Sequence, residues 1–141
     1  MSNYNCAIRT NYFKVKDDEE FEVFLGHIIG EDLQIFDSED DNGNRLYALG
    51  CYGSIWGYRE DISDYDCECD YDQFLEGLQK HIANDDAILI LEAGHERLRY
   101  VNGYVTVITS TEIRFEDITT LGIKFAKELL GNSEYTTKVN Y

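Results

Sequence analysis

"DAILILEAG", residues 86–94, decides the fold. Ile88, Leu89, Ile90 and Leu91 form a short apolar run framed by acids on one side and Gly94 on the other, which reads as a nearly continuous apolar strand at the centre of a sheet. Outward from it in the C-terminal direction, "RLRYVNGYVTVITS" (97–110) carries Asn102-Gly103, a strong short-range hairpin signal, and is expected to turn there. "EIRF" (112–115) reads as a last strand. "TTLGIKFAKELLGN" (119–132) reads as a closing helix, from a Thr119 or Thr120 cap to a stop at Gly131.

In the N-terminal direction, "YDQFLEGLQKHIAN" (71–84) places Tyr71, Phe74, Leu75, Leu78 and Ile82 on one helical stripe, with Asp70 as its cap. "LQIFDSEDDNGNRLYALGCYGSIWGY" (33–58) reads as strand, turn at Asn42-Gly43, strand, and a third short strand around Ile55 and Trp56. "DDEEFEVFLGHIIG" (17–30) has an Asp17 or Asp18 cap, an acidic first turn, and Phe21, Phe24, Leu25, Ile28 and Ile29 at helical spacing before Gly30. "AIRTNYFKV" (7–15) opens as a strand with Ile8, Tyr12 and Val15 inward. The order β-α-βββ-α-ββββ-α predicts an α+β fold, a mostly antiparallel sheet of about five to seven strands with three helices packed on one side of it.

A chain of 141 residues fits one domain with a sizeable core. Apolar residues at 43% and aromatics at 13% exclude a disordered acidic tail. With no long apolar run and no basic-then-apolar start, the expected place is the cytoplasm, with no membrane contact. Cys6, Cys51, Cys67 and Cys69 lack framework spacing and read as reduced thiols. Cys67 and Cys69, one residue apart without a second pair, supply half of a zinc site at most.

The charge is lopsided. Net charge is −16, yet residues 17–79 hold 19 of the 28 acids and only Arg45 and Arg59 as bases, for −17, while the remainder, with nine acids and ten bases, is +1. Self-repulsion at such density disfavours compact folding, and a role in solubility alone would be served by acids spread evenly. An acidic half (about 17–79) beside a near-neutral half (about 80–141) therefore points to a basic partner.

Three acidic groups make up the candidate partner-binding surface. The first is "DYDCECDYD" (64–72), in which Asp64, Asp66, Glu68, Asp70 and Asp72 alternate with Tyr and Cys behind Glu60 and Asp61. As a strand it would carry a row of carboxylates about 6.6–6.8 Å apart, a spacing of the same order as successive DNA phosphates. As a solvated linker it would still be an acidic loop able to enter a basic groove. The second group is Asp17, Asp18, Glu19 and Glu20, which also suit a helix N-terminus; the third is Asp37, Glu39, Asp40 and Asp41, which also suit a solvated turn. Trp56, beside the acidic stretch, is either core or an interface anchor.

Catalytic and cofactor motifs are missing. "SEDDNGNRL" fails the EF-hand pattern at its first and last ligand positions, "HERLR" (95–99) lacks the second His of a zincin helix, and no nucleophile elbow or phosphate-binding glycine loop occurs. The expectation is a protein that is not an enzyme and uses neither cofactor nor metal. His27 and His81 fall near helix C-termini, where the dipole favours an imidazolium.

In "TNYFKV" (10–15), "GCYGSI" (50–55), "YDQFLEGLQ" (71–79) and "EAGHERLRYVNG" (92–103) the chain resembles small acidic proteins of unassigned function carried by phages and conjugative elements of Gram-positive bacteria. Such elements commonly carry antirestriction and anti-CRISPR proteins, several of them acidic DNA mimics, and the chain is similar to that class in charge and size. The resemblance implies a DNA-mimic inhibitor of a basic nucleic-acid-binding host protein, with no direct nucleic-acid contact. An immunity protein for a toxin nuclease would share the acidic face, whereas an accessory protein of phage or conjugative machinery would rest its contacts on the aromatic patch, and a homodimer is compatible with each.

Overall fold

The computed structural model describes residues 4–139. It has an α+β fold: β1 (Asn5–Thr10), α1 (Asp18–Leu25), β2 (Ile28–Gly30), β3 (Gln34–Glu39), β4 (Arg45–Tyr52), β5 (Ile55–Arg59), β6 (Cys69–Asp70), α2 (Tyr71–His81), β7 (Ile88–Glu96), β8 (Tyr100–Ile108), β9 (Ile113–Asp117) and α3 (Ile118–Leu130). Six strands form one sheet in the order β3-β4-β1-β7-β8-β9, and β2-β5-β6 form a second, smaller one. Every pairing is antiparallel.

The core lies between one face of the large sheet and the layer made by α1, α2 and the small sheet. Ile8, Leu49, Ile88, Ile90 and Ile108 project from the large sheet into Phe21, Phe24, Leu25, Ile55, Phe74, Leu78 and Ile82. Phe21 is the hub, meeting Phe13 at 5.7 Å and Tyr47 at 5.0 Å edge-on, the geometry that aligns a positive ring edge with a negative ring face. Phe74, Leu78 and Ile82 have no exposed surface, and at roughly 1.5–3 kcal/mol each their burial is what docks α2.

Several sequence expectations give way here. β7 is central, but it is buried on one face only: Ile88 and Ile90 point into the core while Leu91, on the other parity, stays about half exposed at 49%. α3 sits on that opposite face, over Gly103 of β8, rather than with α1 and α2, and covers it only in part. The β7–β8 hairpin turns at residues 97–99, with Arg97 at φ 50°, and Asn102-Gly103 lies inside β8. Gly103 is wanted there for space, since a Cβ would stand 3.0 Å from Ile118.

α1 ends at Gly26, and Ile28–Gly30 leaves it as a strand pairing with β5, so Ile28 is buried through a sheet and not through a helix face. Near the N-terminus the inward parity shifts after Thr10: Phe13 is fully buried and Val15 packs on the core, whereas Tyr12 is 42% exposed. Asp117 caps α3, its Oδ1 accepting the Thr120 N–H at 2.7 Å, in place of Thr119 or Thr120. No helix among the described residues is long and apolar enough to cross a membrane.

Candidate functional site

The acidic groups gather in two patches, one at each end of α2. The first is built where α1 meets the β3–β4 hairpin. Asp17 caps α1, its Oδ1 accepting the Glu20 N–H at 3.0 Å, which leaves Asp18, Glu19 and Glu20 in an exposed first turn favoured by the helix dipole. Arg45 of β4 bridges two elements, reaching Glu22 at 2.9 Å and Asp37 at 3.4 Å. Burial, then the charges of Asp18 and Glu22, push the Tyr47 phenol up to about 12.

At the hairpin tip Asp40 organises the turn. Its carboxylate accepts the backbone N–H groups of Asn42 and Asn44 and the Asn44 side-chain amide at 2.9–3.0 Å, and these bonds hold it below the usual carboxylate range. Asp37, Glu39 and Asp41 are exposed around it. The helix group and the hairpin group of the sequence reading are thus brought together.

The second patch is the segment from Glu60 to Asp72. Here the row of carboxylates along a strand is corrected. Residues 61–67 form two successive turns, closed by Asp64 N–H to Asp61 O at 3.2 Å and Cys67 N–H to Asp64 O at 3.0 Å; only Cys69 and Asp70 are in a strand, and Asp72 already belongs to α2. The cause is local. Asp61 accepts the Ser63 N–H at 3.0 Å and its hydroxyl at 2.6 Å, and Asp64 accepts the Asp66 N–H at 3.0 Å, so Asp side chains capture the backbone two residues on and compete with a ladder.

Asp70 ends the segment by capping α2, accepting the Gln73 N–H at 3.1 Å. The hydroxyl and backbone N–H of Ser63 hold Asp61 below the usual carboxylate range. The base nearest in sequence does not offset it at the surface: Arg59 is only 9% exposed, with its guanidinium 5.8 Å from the Tyr65 ring and its Nε buried without a hydrogen-bond partner among the described residues. Trp56, on the outer side of β5, is half exposed, as an interface anchor requires.

The two patches lie toward opposite ends of α2, a helix about 16 Å long for eleven residues at 1.5 Å each. Asp70 stands at one end of the helix. His81 stands at the other, close enough to feel Glu20 and Asp17. Burial is the larger influence on His81 and lowers its pKa, contrary to the helix-end expectation of a favoured imidazolium; Lys80 adds to the lowering.

The sequence reading passed over one polar hollow. Glu92 lies on the inward parity of β7, two residues beyond Ile90, and with Tyr71, Tyr104, Thr106 and Ser54 lines a space of about 320 Å³ between the large sheet and β5. The Tyr4 hydroxyl donates to Glu92 at 3.2 Å. Burial and the Glu92 charge raise the phenols of Tyr4, Tyr71 and Tyr104, and burial pushes the nearby Cys51 thiol up to about 11. The signal was readable, since an acid on the buried parity of an otherwise apolar strand needs a polar counterpart.

Compared with protein-family models, curated proteins and solved structures, the chain matches none.

Proposed function

We propose that this protein is a non-enzymatic inhibitor of mobile-element origin, working in the cytoplasm, that places its acidic surface in the basic nucleic-acid groove of a host defence protein of the restriction or CRISPR type. The observation that supports this reading is the segregation of charge: residues 17–79 carry −17, and most of their acids stand in two exposed, internally ordered carboxylate patches. Ordered turns matter because a carboxylate already fixed by backbone N–H groups loses little freedom when it meets a Lys or Arg. Each exposed contact contributes little and the sum gives fast, salt-sensitive association.

The mimicry is one of charge distribution. Two clusters toward opposite ends of α2, a helix about 16 Å long, replace a regular line of phosphates, and Trp56 and Tyr65 offer flat surfaces beside the second cluster in the place of stacked bases. The test is capture from a host lysate at low salt with elution by duplex DNA. A basic nucleic-acid-binding protein released by DNA, with affinity that falls steeply as salt rises, is the expected result. Affinity that stays flat across ionic strength, or a captured protein indifferent to DNA, refutes the reading.

A further inference from the structure

We infer that the chain forms a symmetric dimer through the free edge of β9, joining two six-stranded sheets into one of twelve strands. β9 ends the sheet order and pairs only with β8 among the described residues. The Thr109 N–H to Glu112 O bond, 2.9 Å, fixes the alternation of the β8–β9 ladder. Arg114 and Glu116 therefore spend their backbone groups on β8, and Ile113 and Phe115 turn theirs outward along the edge.

Natural proteins usually protect such an edge with lysine, proline or a covering element. This one, beside its charged Arg114 and Glu116, carries 39%-exposed Ile113 and 57%-exposed Phe115. Within its sequence, Ile113-Arg114-Phe115-Glu116-Asp117, the central Arg114-Phe115-Glu116 is self-complementary about Phe115. In an antiparallel pair with a second copy, a two-fold axis through Phe115 sets Phe115 against Phe115 as a hydrogen-bonded pair and Arg114 against Glu116 twice. Opposite charges thus meet at both flanking positions, which identifies a copy of this chain as the strand that fits.

Whole-molecule charge favours the same edge. β3, with Asp37 and Glu39, closes the far side of the sheet, five strand spacings or about 24 Å away. Pairing through β9 keeps the β3–β4 hairpin carboxylates of two −16 chains apart, while pairing through β3 would press them together. The two-fold stands perpendicular to the sheet, so both copies of α3 lie on one side of it.

The test is sedimentation of the full chain over about 1–100 µM, with folding checked by circular dichroism. The expected species has twice the 16.3 kDa chain mass. Arg114→Glu sets two pairs of like charges against each other and should raise the dimer dissociation constant by about tenfold or more, as should Glu116→Arg. Both side chains are exposed, so the variants remain folded. The double variant R114E/E116R should regain the wild-type constant, and an equimolar mixture of the two single variants should form a heterodimer. A monomer throughout the range, a dimer indifferent to the single changes, or a double variant as weak as the singles overturns the inference.

Discussion

Gly57 shows how much a single residue holds in place. It has φ 129°, a region closed to L side chains, and a Cβ there would stand 2.5 Å from the carbonyl of Asp70, where β5 passes the start of α2. Gly57→Ala should destabilise the protein by about 2–4 kcal/mol, read as a lower urea midpoint with unchanged slope. His81 gives a pH signature. Its folded-state pKa lies below the unfolded value of about 6.5, so the unfolded chain binds the extra proton first as pH falls. Stability is unaffected by this group above that value, declines as pH drops through it toward the folded pKa, and then levels. His81→Gln should flatten the dependence in that window, measured by denaturant titration at successive pH values. The burial of His81 could not be read from its position at a helix end, because the rings that surround it, Phe21 and Phe24, come from α1.

At the scale of elements, α2 carries both stability and the acidic patch. Asp70 is its cap as well as a site carboxylate. Asp70→Ala removes both roles and should cost about 1 kcal/mol, whereas Asp70→Asn keeps a capping oxygen, removes the charge and should leave stability within a few tenths. Thermal melts of the two variants separate the roles. Phe74→Ala should cost about 3–5 kcal/mol, since its ring is fully buried between α2 and the sheet. The helices with an acidic cap and a clear apolar stripe were legible in sequence because those signals are local. β2 was not, since Ile28 and Ile29 continue the helical spacing of Phe24 and Leu25, and only pairing with β5 pulls them into a strand. Asn102-Gly103 misled for a related reason: the pair can turn, but the nine-residue register of β7 with β8 and the seat of Ile118 on Gly103 override it.

The whole molecule behaves as a folded polyanion with two acidic ends on one half. Self-repulsion is screened by salt, so its resistance to urea should rise as sodium chloride is raised from about 10 mM to 300 mM, while affinity for a basic partner falls over the same range. Replacing Asp66 and Glu68 by Lys should weaken that partner's binding by about tenfold or more without lowering stability, because both side chains are exposed and neither holds the turn. The matching change at Asp18, Glu19 and Glu20 should reduce binding as well, and it should also weaken α1 by reversing the charge at its N-terminus. Loss of binding in one variant only would assign the contact to a single patch.

What the sequence alone determined is the α+β class, the capped helices α1 and α2, the β3–β4 hairpin and the charge asymmetry, because periodicity, capping and composition act over a few residues. Tertiary structure decided the rest. It split the strands into two sheets, set α3 on the far face of the large one, folded the alternating acids of 64–72 into turns, and carried the α1 and hairpin carboxylates to one end of α2. Those outcomes depend on which surfaces meet across long separations in the chain, and the hydrophobic burial that selects them is indifferent to sequence order.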